Sequence, residues 1–148
     1  MSKTKSHGNP QVLDLLGKIY QSEVAGISRY LHYSFMIMGH NRIPIQKWFR
    51  ENAVEAMDHA TLVGEKITSL GGHPPILGAP VIENDLHSIQ QLLEESLKFE
   101  AEACALYTKL SALSAEIGDI ALEEMARSMV REEQEHIEEV EKMLTKPA

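Results

Sequence analysis

Apolar residues recur every three or four positions through four long stretches of this chain, which is the pattern of amphipathic helices. In the first stretch Leu13, Leu16 and Tyr20 keep this spacing, and Asn9 followed by Pro10 is typical of a helix start. We therefore predict four helices, at about 10–39, 44–70, 84–117 and 119–145. They would form one all-α domain over residues 10–146, preceded by a flexible polar tail at 1–9.

The lengths of the connections predict how these helices are arranged. Few residues separate the first helix from the second, or the third from the fourth, so each pair should form an antiparallel hairpin. The middle connection, at about 72–83, is rich in proline and glycine and cannot be helical. If extended it covers about 40 Å, the length of a helix of about 27 residues. The prediction is a four-helix bundle of two antiparallel hairpins joined by a long crossover loop.

Each predicted helix carries polar residues on its apolar face. They are Glu23 in the first helix, His59 in the second, Glu100 in the third, and Glu133 and His136 in the fourth. All lie 13 to 17 residues after the predicted helix starts, which is about 20–25 Å along each helix. Glu23 and His59 are 36 positions apart (59 − 23), as are Glu100 and His136 (136 − 100). The five side chains should meet in one layer, with the two hairpins as matching halves.

Three carboxylates and two imidazoles in one buried layer require compensation. The alternative interpretation is that these are hydrogen-bonded core residues or buried ion pairs. However, no Lys or Arg lies on these apolar helix faces to pair with the carboxylates. Removing an uncompensated carboxylate from water costs several kcal/mol. Mixed carboxylate and imidazole donors suit iron or manganese, and also zinc. The pattern therefore favours a buried site for two divalent metal ions.

With these residues in place, the chain resembles the ferritin-like superfamily, and within it the bacterioferritins, over nearly its whole length. The stretch EQEH at 133–136 is close to the bacterioferritin motif, and SEVAGISRYLHY around Glu23 is similar to that of the first helix. The resemblance implies a di-iron site with Glu23 and Glu100 as terminal carboxylates and Glu133 as a bridging one. It also implies nitrogen ligands at His59 and His136.

The resemblance assigns roles to residues near this site as well. Tyr30 matches a tyrosine close to the iron pair in the family, which makes it the candidate catalytic residue. Met57 matches the haem-ligating methionine, so that haem b would bind between two copies of the chain; a core or interface methionine is the alternative.

One position departs from the family pattern. Both the motif and the internal repeat call for a glutamate three residues before His59, and that residue is Ala56. Glu55 is about 100° round the helix and would reach the metals only through a π-bulge or a shifted rotamer. Either Glu55 substitutes, or water or hydroxide fills the gap, or the site binds metal weakly. Alternatively, Glu51 and Glu55 match positions that hold an additional iron on the cavity wall.

Composition limits the class of function. A net charge of -8 and a pI near 5.3 argue against a nucleic-acid-coating surface, so DNA is not an expected partner. Cys104 is the only cysteine, and we find neither a signal peptide nor a membrane segment, so we expect a cytoplasmic protein.

The resemblance implies a ferroxidase and iron-storage protein. It would oxidise Fe(II) with O2 or H2O2 and store the product in a homo-oligomeric shell built from two-fold dimers. The chain stops twelve residues after His136, without the fifth helix usual in bacterioferritins, so shells of both 12 and 24 subunits remain open. The alternatives are a mini-ferritin-like protein of DNA or oxidative-stress protection, a non-storing di-iron protein, and a haem carrier with a degenerate site.

Overall fold

The computed structural model describes residues 8–147, and over this range the chain forms four α-helices and no strand. They are α1 (Pro10–Met36), α2 (Arg42–Ser69), α3 (Ile89–Ile117) and α4 (Ile120–Leu144). The predicted all-α four-helix bundle is therefore confirmed. Residues 1–7 of the predicted tail lie outside the described range. Gly8 donates its backbone N–H to the carbonyl of Leu70 at 2.9 Å, and the Asn9 side chain caps α1.

The start of α3 differs from the prediction, which placed it at about residue 84, where Asn84 and Asp85 are both residue types that favour a helix start. The observed N-cap is Ser88, whose hydroxyl accepts from the N–H of Gln91 at 3.1 Å while the Gln91 side chain accepts from the N–H of Ser88. This reciprocal pair satisfies two N–H groups that would otherwise be unpaired at the helix start. Asn84 instead accepts from the N–H of Leu86, and Asp85 has a left-handed φ of 59°. The crossover is therefore longer than predicted.

The turn between α1 and α2 also lies slightly earlier than predicted. The first helix ends at Met36 and not near residue 39, and the second begins at Arg42 and not at Pro44. Pro44 falls in the first turn of α2, where the missing N–H of proline costs nothing because that group has no partner within the helix.

Contacts between side chains establish the direction of each helix. Glu23 precedes Tyr30 in α1, whereas their hydrogen-bond partners in α3, Tyr107 and Ser96, occur in the opposite order. The helices α1 and α3 are therefore antiparallel. The contacts of α2 with α4 show the same reversal, from Glu55 with His136 to His59 with Glu132. The short turn between α1 and α2 makes this packed pair antiparallel as well, so α2 and α3 run parallel, as the crossover predicted.

The crossover lies directly against α1. The N–H of Ala79 donates to the carbonyl of Gln21 at 2.9 Å, and a Cβ at Gly78 would lie 2.8 Å from a methyl carbon of Val24. Only glycine allows so close an approach. Within residues 8–147 no helix combines the length and hydrophobicity that a membrane span requires.

Two apolar clusters fill the bundle, one towards each end. Leu16, Val63, Leu110 and Leu122 belong to the first cluster, and Phe49, Leu92 and Val140 belong to the second. All seven side chains are essentially excluded from solvent. Between these clusters lies the layer that holds the charged residues.

Candidate metal centre

The five residues singled out by the helical pattern do converge. Four of them, Glu23, His59, Glu100 and Glu133, are at most 7% exposed, although each carries a group that ionises. Together with His136 they line one cavity in the middle of the bundle. Each sits on the apolar face of its helix, so the packing that buries the stripes also brings these groups together.

The two imidazoles present Nδ1 to carboxylate oxygens at the spacing of metal ligands. Nδ1 of His59 lies 3.5 Å from Glu23 and 3.4 Å from Glu133, and Nδ1 of His136 lies 3.6 Å from Glu100. Donors held about 2.1 Å from one tetrahedral ion lie about 3.4 Å apart. The sets Glu23–His59–Glu133 and Glu100–Glu133–His136 can each hold one ion, with Glu133 common to both.

In the absence of metal, bound protons offset the negative charge of the buried carboxylates. Burial and a hydrogen bond with Glu100 raise the pKa of Glu133 to about 9. Burial would lower the pKa of both imidazoles, but the adjacent carboxylates of Glu133 and Glu23 raise that of His59 to about 11, and those of Glu100 and Glu55 raise that of His136 to about 10. Because metal ligands must lose these protons, metal binding at pH 7 should release them.

Two atoms of the cluster have no hydrogen-bond partner. Oε2 of Glu133 and Nδ1 of His136 are buried without one. Buried polar atoms are normally satisfied, and an exception calls for an explanation such as an ion. Both atoms belong to the sets that can hold metal, so the residues present fit a pair of metal ions.

Two tyrosines orient the carboxylates of Glu23 and Glu100. The hydroxyl of Tyr30 donates to Glu100 and lies 2.9 Å from Oγ of Ser96, while the hydroxyl of Tyr107 donates to Glu23 at 2.7 Å. Burial, followed by the charge of the adjacent carboxylate, raises the pKa of both phenols. Each phenol therefore keeps its proton and holds one carboxylate oxygen in place.

Two further carboxylates contact the opposite edges of the imidazoles. Nε2 of His136 lies 2.9 Å from Glu55, and Nε2 of His59 lies 2.8 Å from Glu132. A carboxylate at Nε2 leaves Nδ1 free to bind metal and fixes the orientation of the ring. One of the three alternatives left open by the sequence had Glu55 reach the metals through a π-bulge or a shifted rotamer. Instead, α2 continues as an α-helix and Glu55 lies on the Nε2 side.

The remaining predicted residues lie outside the cluster. Glu51 is on the exposed face of α2, 3.8 Å from Nζ of Lys47. Met57 is 55% exposed in a groove between α1 and α2 that Tyr20 and Val24 also line. Ala56 is buried at the cavity wall and faces Gly26, where an added Cβ would lie 3.5 Å from the methyl group of Ala56.

Glu132 and Tyr107 were absent from the prediction, although the repeat could have identified both. Five pairs of positions differ by 77 (100 − 23, 107 − 30, 132 − 55, 133 − 56, 136 − 59). Four of these pairs have identical residues, and the fifth joins Ala56 to Glu133. The asymmetry of the site is therefore confined to its bridging position.

A four-helix bundle that holds two Glu–His pairs around one shared glutamate defines a dinuclear carboxylate protein. The Ferritin-like domain family model matches residues 13–148, and the chain belongs to this family. It is 26% identical over 138 residues to the bacterioferritin of Rhodobacter capsulatus, covering 93% of this chain and 85% of that one.

Solved structures agree with this assignment. The structure of the Rhodobacter capsulatus bacterioferritin, described with a metal-free dinuclear site and haem iron, superposes with a TM-score of 0.82 at the same coverage. A ferritin-like diiron-carboxylate protein of Bacillus anthracis str. Ames gives 0.87 at 23% identity, covering 98% of this chain and all of that one. The Desulfovibrio desulfuricans bacterioferritin, described with a diiron site, gives 0.86 at 20% identity, covering 97% and 83%. The last two show the fold alone. Together the comparisons support a di-iron protein of the ferritin family.

Proposed function

We propose that this protein is a ferroxidase of the bacterioferritin type, which oxidises Fe(II) to Fe(III) at a site within one subunit. The observation that carries the proposal is the two buried Glu–His pairs that share Glu133, with imidazole–carboxylate distances of 3.4 to 3.6 Å. The iron is bound as substrate, and O2 or H2O2 accepts the electrons. The Rhodobacter capsulatus bacterioferritin, at 26% identity, supports this proposal.

The charges of the site favour the oxidised product. Loss of one electron from each of two Fe(II) raises the positive charge within the cavity. Glu23, Glu100 and Glu133 are buried around it, where an opposite charge is stabilised far more strongly than in water. The shared carboxylate of Glu133 would hold both irons close enough to act together. At the bridging position opposite Glu133, Ala56 supplies no ligand, so water or hydroxide would fill it.

The test is an anaerobic Fe(II) titration of the metal-depleted protein, followed by addition of O2. We expect two Fe(II) per chain and their oxidation on mixing. Glu100→Ala should abolish fast oxidation, whereas Glu102→Ala, on an exposed position of the same helix, should behave like the wild type. Binding of one Fe(II) or none per chain, or unchanged oxidation by Glu100→Ala, would show that the proposal is wrong.

We also propose that the oxidised iron is stored in a homo-oligomeric shell of 12 or 24 copies, built from two-fold dimers. Exposed apolar side chains on α1, on α2 and in the turn between them support association, since Phe35 is 51% exposed, Met38 72% and Val54 60%. Native mass spectrometry measures the assembly directly. A monomer or an isolated dimer would contradict storage and leave the oxidation chemistry to be judged by the iron titration.

Haem is a second candidate ligand, because Met57 places a thioether in an exposed apolar groove. The Rhodobacter capsulatus relative is described with haem iron. In this chain Met57 would supply a soft axial ligand, and a second copy would supply the other. We expect added haemin to give a sharp Soret band that Met57→Ala weakens and Met38→Ala does not. An identical spectrum for Met57→Ala and the wild type would exclude this role.

A further inference from the structure

A second group of metal-binding side chains lies at the surface, where the crossover approaches α3. His32 comes from α1, Glu83 from the crossover, and His87 from the position before the N-cap of α3. One ligand atom from each of the three lies within 4.8 Å of the others. This surface cluster shares no residue with the dinuclear centre.

Both imidazoles of the surface cluster turn towards the same carboxylate. Nε2 of His32 contacts Oε2 of Glu83, and Nε2 of His87 lies 2.7 Å from Oε1. The ring centroids are 6.2 Å apart at an angle of 68°, so the rings are not stacked face to face. The backbone N–H of Asp85 donates to Oε1 of Glu83 at 2.8 Å and holds the carboxylate in position. Two segments of chain, α1 and the end of the crossover, thus present their donor atoms to one point.

The surface cluster is open to ions from solvent. The side chains of His32, Glu83 and His87 are 44%, 39% and 25% exposed. They line a groove together with Tyr33 and Ile82. Their exposure also leaves them free to rotate, as a bound ion would require.

We propose that His32, Glu83 and His87 form a binding site for a single divalent metal ion such as Zn2+, Ni2+ or Cu2+. Two imidazole nitrogens and one carboxylate oxygen suit Zn2+, Ni2+ or Cu2+, whereas Mg2+ and Ca2+ prefer oxygen donors alone. Three protein ligands leave the fourth tetrahedral position to water. Donor atoms around such an ion lie about 3.4 Å apart. Small rotations of the exposed side chains would therefore replace the two imidazole–carboxylate contacts with bonds to the ion.

Such an ion would connect the end of the crossover to α1. Glu83 and His87 both lie in the connection between α2 and α3, and His32 lies in α1. The bound ion would hold this end of the crossover against the bundle, because its ligands come from the crossover and from a helix. The site does not depend on the proposed ferroxidase activity, since the two sites have no ligand in common.

Zinc binding to the full-length, metal-depleted protein tests this proposal. Equilibrium dialysis against zinc alone, followed by elemental analysis, counts the ions bound per chain. We expect the double variant His32→Ala/His87→Ala to bind one zinc fewer than the wild type. His40→Ala, an exposed histidine in the turn after α1, is the matched control and should bind the wild-type number. An equal count for the double variant and the wild type at every zinc concentration would overturn the proposal.

Two further measurements locate the ion. Glu83→Gln keeps a hydrogen-bond acceptor but removes the charge, so it should weaken zinc binding at this site at least about tenfold. Glu100→Ala should remove zinc from the dinuclear centre and leave the surface ion in place. Anomalous scattering at the zinc edge from crystals of the wild type should show a peak between His32, Glu83 and His87. Absence of that peak, with zinc present at the dinuclear centre, would also overturn the proposal.

Discussion

The carboxylate of Glu55 in α2 lies 2.9 Å from Nε2 of His136 in α4 and is the counterpart of Glu132, which lies 2.8 Å from Nε2 of His59. Each carboxylate precedes the histidine of its own helix by four positions, yet its hydrogen bond is with the histidine of the other helix. The crossed contacts fix both rings, so that Nδ1 points into the cavity.

This arrangement predicts that Glu55 controls metal affinity without binding the metal. Glu55→Gln should weaken metal binding about 10- to 100-fold, as loss of a carboxylate behind a histidine ligand does. Glu132→Gln should have a similar effect, while Glu51→Gln on the exposed face of α2 should have none. Isothermal titration with Zn2+ compares the three variants. Equal affinity for Glu55→Gln and Glu51→Gln would exclude the positioning role.

The alanine at position 56 predicts that a glutamate placed there would strengthen metal binding. Ala56→Glu would supply a second bridging carboxylate opposite Glu133, and we expect metal binding at least about tenfold tighter, or about 1.4 kcal/mol. The metal-free variant should lose several kcal/mol of stability, since it buries a further carboxylate. Ala53→Glu, at another buried alanine of α2, is the control and should lose stability without gaining affinity. Weaker metal binding by Ala56→Glu would contradict the assignment.

The pKa values predict how the stability of the metal-free protein depends on pH. The folded state raises the pKa of Glu133 to about 9 from an unfolded value near 4.5, and that of His59 to about 11 from near 6.5. Between these values the folded state binds more protons, so its stability falls as pH rises. We expect the Tm of the metal-free protein to fall from pH 7 to pH 9. Glu133→Gln, which cannot ionise there, should reduce the slope, and a Tm that rises over this range would refute the protonated cluster.

Tyr30 and Tyr107 form a matched pair for testing a role in oxidation. Both donate a hydrogen bond to a terminal carboxylate, so either change to Phe should destabilise the metal-free protein by about 1.5–3 kcal/mol. If Tyr30 is catalytic, as the resemblance to bacterioferritins implies, only Tyr30→Phe should also slow Fe(II) oxidation. Stopped-flow absorbance after mixing with O2 measures this rate. Equal rates for the two variants would limit Tyr30 to orienting Glu100.

Much of the site could be predicted from the sequence because helical periodicity is a local property. A glutamate or histidine on an apolar stripe must be buried wherever that stripe packs, so Glu23, His59, Glu100 and Glu133 were identifiable before any contact was known. The start of α3 was predicted incorrectly for an equally local reason. Asn84 and Asp85 are suitable capping residues, but the reciprocal bonds of Ser88 and Gln91 stabilise a later start.

Periodicity and spacing thus establish the four helices, their hairpins and the layer in which five ionisable groups meet. Only the packed bundle decides which nitrogen of each imidazole faces the cavity, because that depends on carboxylates of another helix, Glu55 for His136 and Glu132 for His59. The same holds for the surface cluster, because its residues come from α1 and from the crossover, which meet only in the packed bundle. Distances between side chains on different elements are set by tertiary packing, and no local pattern in the chain encodes them.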